Sequence, residues 1–181
     1  MKKITTFEMA MCGIFAALMC IAGPLSVPIG PVPVTLTNLV IYFALAVCGT
    51  RLTLISCIVY LLLGAAGLPV FSGFQGGLAK LAGPTGGYLI GYIFLALIAG
   101  WFIHKFYDNV VIQFLGMCLG MAVLYALGTV WLSQAAGLTF KEALAAGVIP
   151  FILGDLIKIV CAIALGRAVN SRLEAGGFRT K

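Results

Sequence analysis

An acid and a base stand three residues apart within an otherwise apolar run near the C-terminus, in Gly154-Asp155-Leu156-Ile157-Lys158. On a helix that spacing puts them on one face. A charged side chain at the centre of a membrane helix costs about 2.5–3.5 kcal/mol on an insertion scale, so such groups usually face an interior cavity and have a task there. Lys158 is a point-charge donor suited to a carboxylate, Asp155 is an acceptor suited to amide-like N–H groups, and Gly154 leaves room beside them. The pair suits a small organic acid with a polar N–H head. Taking Pro150 as the outer end of the run, a rise of about 1.5 Å per residue sets Asp155 roughly 7 Å and Lys158 roughly 12 Å below the rim. Two other uses stay open: an internal pair that only neutralises two charges, and a proton relay, for which no His or second carboxylate lies at matching depth.

A second concentration of chemistry lies in Gly67-Leu68-Pro69-Val70-Phe71-Ser72-Gly73-Phe74-Gln75-Gly76-Gly77 and Gly83-Pro84-Thr85-Gly86-Gly87-Tyr88. Glycines such as Gly86 let backbone N–H groups approach a ligand, while Phe71, Phe74 and Tyr88 offer flat apolar walls, Gln75 an amide, and Thr85 a helix N-cap. These residues read as a small-molecule pocket; elsewhere Gly100, Gly116 and Gly120 read as helix-packing positions. The loop 23–33 is nearly all apolar yet carries Pro24, Pro28, Pro31 and Pro33, which forbid a helix and suggest a stiff lid folded over the bundle. Thr35, Thr37 and Asn38 follow it and either face a ligand or cap the next helix.

The elements that hold these groups are membrane helices. The chain has 181 residues, 62% of them hydrophobic and 9% charged, with a mean hydropathy of +1.17, whereas soluble domains average about 25% charged. Apolar stretches at 5–22, 34–49, 52–66, 85–103, 110–132 and 148–169 predict an all-α protein with six transmembrane helices, in one domain over 1–181. The stretches 34–49 and 52–66 fall slightly short of the about 20 residues a span normally needs. The runs lack the alternation of a barrel strand. With both termini cytoplasmic, Lys2, Lys3, Arg51, Lys105, Arg167, Arg172, Arg179 and Lys181 fall inside and only Lys80 and Lys141 outside, in accord with the positive-inside rule. The outer loops 23–33, 67–84 and 133–147 are then long and the inner ones, 50–51 and 104–109, short. Long connections persist mostly where they bind or cover something, so the outer face is the expected working face, with its loops covering a ligand pocket.

Several other classes fall away. Little chain remains for a fused nucleotide-binding domain. The net charge of +6 is distributed among separate loops and tails, as topology and anionic headgroups require, rather than as a nucleic-acid-binding patch. The start of the chain is read as a retained span and not as a cleaved secretory signal, because Glu8 interrupts the apolar run and Ala22-Gly23-Pro24 is a poor cleavage site. Six cysteines sit inside the spans without a Cys-x-x-Cys spacing and read as packing residues, so no metal is expected. An enzyme would need a nucleophile with a base or a metal cluster, and a lone His with no His-Glu-x-x-His does not provide one. His104, Lys105 and Asp108 read as a solvated inner turn, and Lys141-Glu142 as part of a short surface helix. Gly13 and Ala17 form a small-residue step where another helix could approach closely.

The motifs Gly67-Leu68-Pro69-Val70-Phe71, Gly76-Gly77, Gly83-Pro84-Thr85-Gly86-Gly87-Tyr88-Leu89, Pro150-Phe151 and Gly154-Asp155-x-x-Lys158 resemble the BioY family, the biotin-specific S components of energy-coupling factor (ECF) transporters. The resemblance covers nearly the whole chain, including Val32-Pro33-Val34-Thr35. It implies a high-affinity biotin-binding subunit, multi-pass in the cell (inner) membrane, that captures biotin at the outer face as transport substrate and uses no cofactor. Asp155 and Lys158 match the family's polar pair, and Tyr88 and Gln75 fall in its ligand-lining segment. The implied partners are a coupling transmembrane subunit, met by a small-residue motif in the first helix that Gly13 and Ala17 match most nearly, and two ATPase subunits. This chain has no Gly-x-x-x-x-Gly-Lys-Ser/Thr motif of its own. Many members carry Gln where this chain has Thr37, which shortens or removes a hydrogen bond from that segment. Some members are thought to act alone, so a proton-coupled or autonomous carrier of biotin or another small acid is the rival reading.

Overall fold

Apolar backbone in a bilayer must satisfy its hydrogen bonds within each segment, and this chain does so as helices. The computed structural model describes residues 4–107 and 109–176. Its elements are α1 (Thr6–Ala22), β1 (Ser26–Val27), β2 (Val34–Thr35), α2 (Thr37–Ala65), α3 (Leu78–Ala82), α4 (Gly86–Lys105), α5 (Val110–Ala136), α6 (Phe140–Gly147) and α7 (Ile152–Ala175). The molecule is an all-α membrane protein of seven helices among the described residues. By length and composition α2, α4 and α5 can each cross a membrane, and the bent pair α6–α7 makes a fourth; α1 is apolar but shorter. Lys2, Lys3, Arg179 and Lys181, which entered the charge reading, and Asp108, read as part of the inner turn, lie outside the described residues.

α2 contains a break that the span count alone does not show. At its middle Gly49 has φ 74 and ψ −178, a conformation essentially confined to glycine. Asn38 and Tyr60 line the same cavity, although a straight helix would hold them about 33 Å apart. α2 is therefore two arms folded back at Gly49, next to the break expected at 50–51. On the first arm Asn38 faces α7, and on the second Ser56 donates to the carbonyl of Cys12 in α1.

The loop 23–33 becomes the turn of a short ribbon in which Ser26 pairs with Thr35 and Val27 with Val34, antiparallel. Gly73 N–H donates to Ser26 Oγ at 3.0 Å, tying this ribbon to the loop after α2. Thr139 and Glu142 form a reciprocal capping box at the start of α6, so the Lys141-Glu142 segment is indeed a short helix. The chain bends by 47° between α6 and α7, across a break that contains Pro150, which has no N–H to continue a helical ladder. The bend starts α7 afresh at Ile152 and puts Asp155 in its first turn, where the helix dipole favours a negative charge. Close packing explains the mid-span glycines: a Cβ at Gly100 would meet Thr50, and one at Gly116 would meet Phe102.

Candidate functional site

α7 presents Asp155 and Lys158 to the first arm of α2 and to β2. Lys158 Nζ donates to Asp155 Oδ1 at 2.8 Å, to the Thr35 carbonyl at 2.8 Å and to Asn38 Oδ1 at 3.2 Å. From α5, the Tyr125 hydroxyl donates to Asp155 Oδ2 at 2.7 Å. The Lys158 and Asp155 side chains keep only 13% and 6% of their surface exposed, so the ion pair is largely withdrawn from water and depends on these further bonds for compensation. The two charges do pair with each other, but the pair is one link in a network that joins β2, α2, α5 and α7. An ammonium has three donors, and all three are engaged here; each carboxylate oxygen accepts one of the bonds above and keeps a second lone pair. The unfilled hydrogen-bonding capacity of the pair lies on Asp155.

The network forms part of the wall of a cavity at one end of the bundle, between the ribbon, α4, α5 and α7. Tyr60, Tyr88, Tyr92, Leu89, Leu124 and Phe151 supply its apolar surface. Tyr88 is held by a hydrogen bond to the Gly147 carbonyl at 3.1 Å, with its ring against Gly128, where a Cβ would collide with it. The Tyr92 hydroxyl lies 3.4 Å from Thr35 Oγ1. Thr85 Oγ1 is buried on the same wall without a hydrogen-bond partner. Buried hydroxyls normally have partners, so it is suited to a ligand that brings one. The arrangement offers anionic and cationic groups, a spare hydroxyl and aromatic faces, the makings of a specific site for a small amphipathic molecule.

Seven of the residues singled out from sequence meet at this cavity: Thr35, Thr37, Asn38, Thr85, Tyr88, Asp155 and Lys158. The others singled out in the glycine-rich segment stand elsewhere. Phe71 is fully buried behind the wall, its ring edge-on to Tyr60 at 5.5 Å, so it supports a lining residue. Phe74 is 67% exposed at φ 57. Gln75 is exposed, and its carbonyl accepts from Phe71 N–H at 2.9 Å. Gly86 packs against Leu81 and Trp131. Thr85 occupies the N-cap position of α4 but makes no side-chain cap bond, and a Cβ on Gly154 would meet open space, so that glycine makes no room in the cavity. Gly13 and Ala17 are exposed on α1, and a Cβ on Gly13 would meet nothing.

Sequence reasoning missed Tyr60, Tyr92 and Tyr125. A signal was present: Tyr88 and Tyr92 are four apart and share a helix face, and Tyr125 sits well inside its span rather than in the interfacial belts where tyrosine is enriched.

The fold and the cavity together define a helical membrane protein built around a small-molecule site. Residues 1–175 match the model of the BioY family, and the chain belongs to that family. It is 38% identical over 163 residues to the probable biotin transporter BioY of Pyrococcus horikoshii, covering 90% of this chain and 96% of the relative. It is 40% identical over 177 residues to the biotin transporter BioY of Rhizobium etli, covering 92% and 94%. A crystal structure of the S-component for biotin from an ECF-type ABC transporter superposes with a TM-score of 0.86 at 29% identity, covering 93% of this chain and 95% of that one.

Proposed function

We propose that this chain is the S component of a biotin transporter, a membrane-embedded subunit that captures biotin for import and is not an enzyme. The observation that carries this reading is the Asp155–Lys158 network on the cavity wall, with Tyr125, Thr35 and Asn38 attached to it. Biotin combines a carboxylate, an apolar chain and a ureido ring with two N–H donors. Asp155, whose oxygens keep spare lone pairs, receives the ureido N–H groups, and the tyrosine faces cover the apolar parts. Lys158 meets the carboxylate by giving up one of its present bonds, the 3.2 Å bond to Asn38 being the longest. Thr35, Thr85 and Tyr88 complete the lining. Gln75, Phe71, Phe74 and Gly86 act behind or beside the pocket. Biotin is held as transport substrate, with no cofactor.

The same reading places the whole chain, 1–181, in one domain of the cell membrane with six passes and both termini cytoplasmic. The fold-back of α2 at Gly49 supports the count, since it turns one long helix into two passes. Its cavity then opens toward the outer face beneath the ribbon and the loop after α2, which cover it. Gly13 and Ala17, exposed on α1, form the contact for a coupling transmembrane subunit, which carries two ATPase subunits.

Equilibrium binding of labelled biotin to the purified full chain tests the reading. Tight binding is expected, displaced by unlabelled biotin and not by thiamine, riboflavin or valerate at equal concentration. Displacement by thiamine as effective as by biotin would contradict it.

A further inference from the structure

Along α4, Thr85, Tyr88, Leu89 and Tyr92 all line the biotin cavity, and their spacing places them on one face of the helix. Thr85 opens that face as the N-cap. A threonine in that position ordinarily accepts a hydrogen bond from an N–H of the first turn. Thr85, with φ −92 and ψ −1 rather than the extended backbone of a capping residue, makes no such bond. Its main-chain carbonyl accepts from Tyr88 N–H at 3.1 Å and from Leu89 N–H at 3.2 Å. The side chain takes no part in this: the residue is only 7% exposed, and Oγ1 is buried without a partner. Its surroundings hold it in place. Trp131 Nε1 donates to the Gly83 carbonyl at 2.9 Å, Pro84 fixes its own φ, and Gly86 packs so closely that a Cβ there would collide with the Leu81 carbonyl.

A hydroxyl can donate or accept, and the position of this one decides between the two. The start of α4 is the positive end of the dipole of a 20-residue helix, which favours a ligand group bearing negative charge or partial charge. Thr85 therefore suits an acceptor and donates to it. The inference rests on the reading of the ligand as biotin, in which Lys158 meets the carboxylate and Asp155 the ureido N–H groups. The ureido carbonyl oxygen, a strong acceptor, is then still without a donor. Two hydroxyls on the same wall are already committed, Tyr125 to Asp155 and Tyr88 to the Gly147 carbonyl. We propose that Thr85 Oγ1–H donates to the ureido oxygen of biotin, so that α4 and α7 grip the two sides of the ureido group. Thr85 is thereby a specificity-determining residue: a ligand with no acceptor at that point leaves a buried hydroxyl unpaired, and a site built for a hydrogen bond rejects ligands that lack it.

Thr85→Val keeps the branched shape and removes the hydroxyl. It is expected to weaken biotin binding to the purified full chain about tenfold, the scale of one lost hydrogen bond with a buried acceptor, and Thr85→Ser is expected to restore most of that loss. Infrared spectroscopy of bound biotin carrying a heavy-carbon label at the ureido carbonyl identifies the group involved. With biotin saturating, the ureido stretch is expected at higher wavenumber in Thr85→Val than in the unmodified chain, and the carboxylate stretches are expected unmoved. Unchanged affinity in Thr85→Val, an unmoved ureido stretch, or a displaced carboxylate stretch in its place would overturn the proposal. Those results leave biotin binding by the unmodified chain intact, whereas failure of the unmodified chain to bind biotin would overturn the reading of function on which the proposal rests.

Discussion

Each hydrogen on the Lys158 ammonium already has an acceptor, and the Asp155 carboxylate is held from two sides, by Lys158 and by Tyr125. A buried, fully bonded pair of this kind is a rigid platform: removing one partner strands the other charge, at a cost of about 3–5 kcal/mol in comparable buried pairs. Tyr125→Phe removes a single donor and leaves the ring in place. It is expected to weaken biotin binding by about tenfold, or about 1.4 kcal/mol, as measured by equilibrium titration. Unchanged affinity would mean that Lys158 alone orients the carboxylate. Asp155 and Lys158 were legible in the sequence because a charge in an apolar run has few uses. Tyr60, Tyr92 and Tyr125 were not, because a tyrosine among leucines and alanines becomes polar chemistry only when the fold aims its hydroxyl inward. Phe74 and Gln75 are the converse case: their loop is rich in glycine and aromatic residues, yet both stand exposed and apart from the cavity lining.

Among the elements, the arms of α2 matter most, because their fold-back brings Asn38 and Tyr60 to one cavity. The break depends on Gly49 holding φ 74 and ψ −178, which any side chain makes unfavourable by about 1–3 kcal/mol. Gly49→Ala is therefore expected to lower the thermal midpoint of the detergent-purified protein, even though a Cβ there would touch nothing; an unchanged midpoint would show that the turn tolerates another conformation. The sequence placed this break to within about a residue, because the polar Thr50-Arg51 step separates the apolar stretches 34–49 and 52–66. The bend before α7 was signalled only by Pro150, whose effect on direction depends on how α6 packs against α5. The ribbon β1–β2 was read as a stiff lid without strands, since two paired residues on each side leave almost no alternating pattern to detect.

At the scale of the whole molecule, composition made the membrane class and the helical fold plain, while the side from which the pocket is reached rested on loop lengths and on Lys and Arg positions. The pocket was legible as a pair of charges, a few threonine and asparagine groups and Tyr88, but not as a closed wall, because its lining comes from six elements spread along the sequence. Function at this scale also needs a surface for partners. The exposed Gly13 and Ala17 on α1 lie apart from the biotin network, so Gly13→Trp is expected to reduce co-purification with a coupling subunit severalfold while leaving biotin affinity within about twofold; a parallel loss of biotin binding would contradict that separation. The central claim is that Asp155 and Lys158 exist to hold biotin, and the most direct measurement compares the affinities of biotin and biotin methyl ester for the unmodified chain and for Lys158→Met. The account predicts that the variant binds biotin more than about tenfold more weakly, a loss above about 1.4 kcal/mol, and that the ester loses much less. Unchanged biotin affinity in Lys158→Met would contradict it.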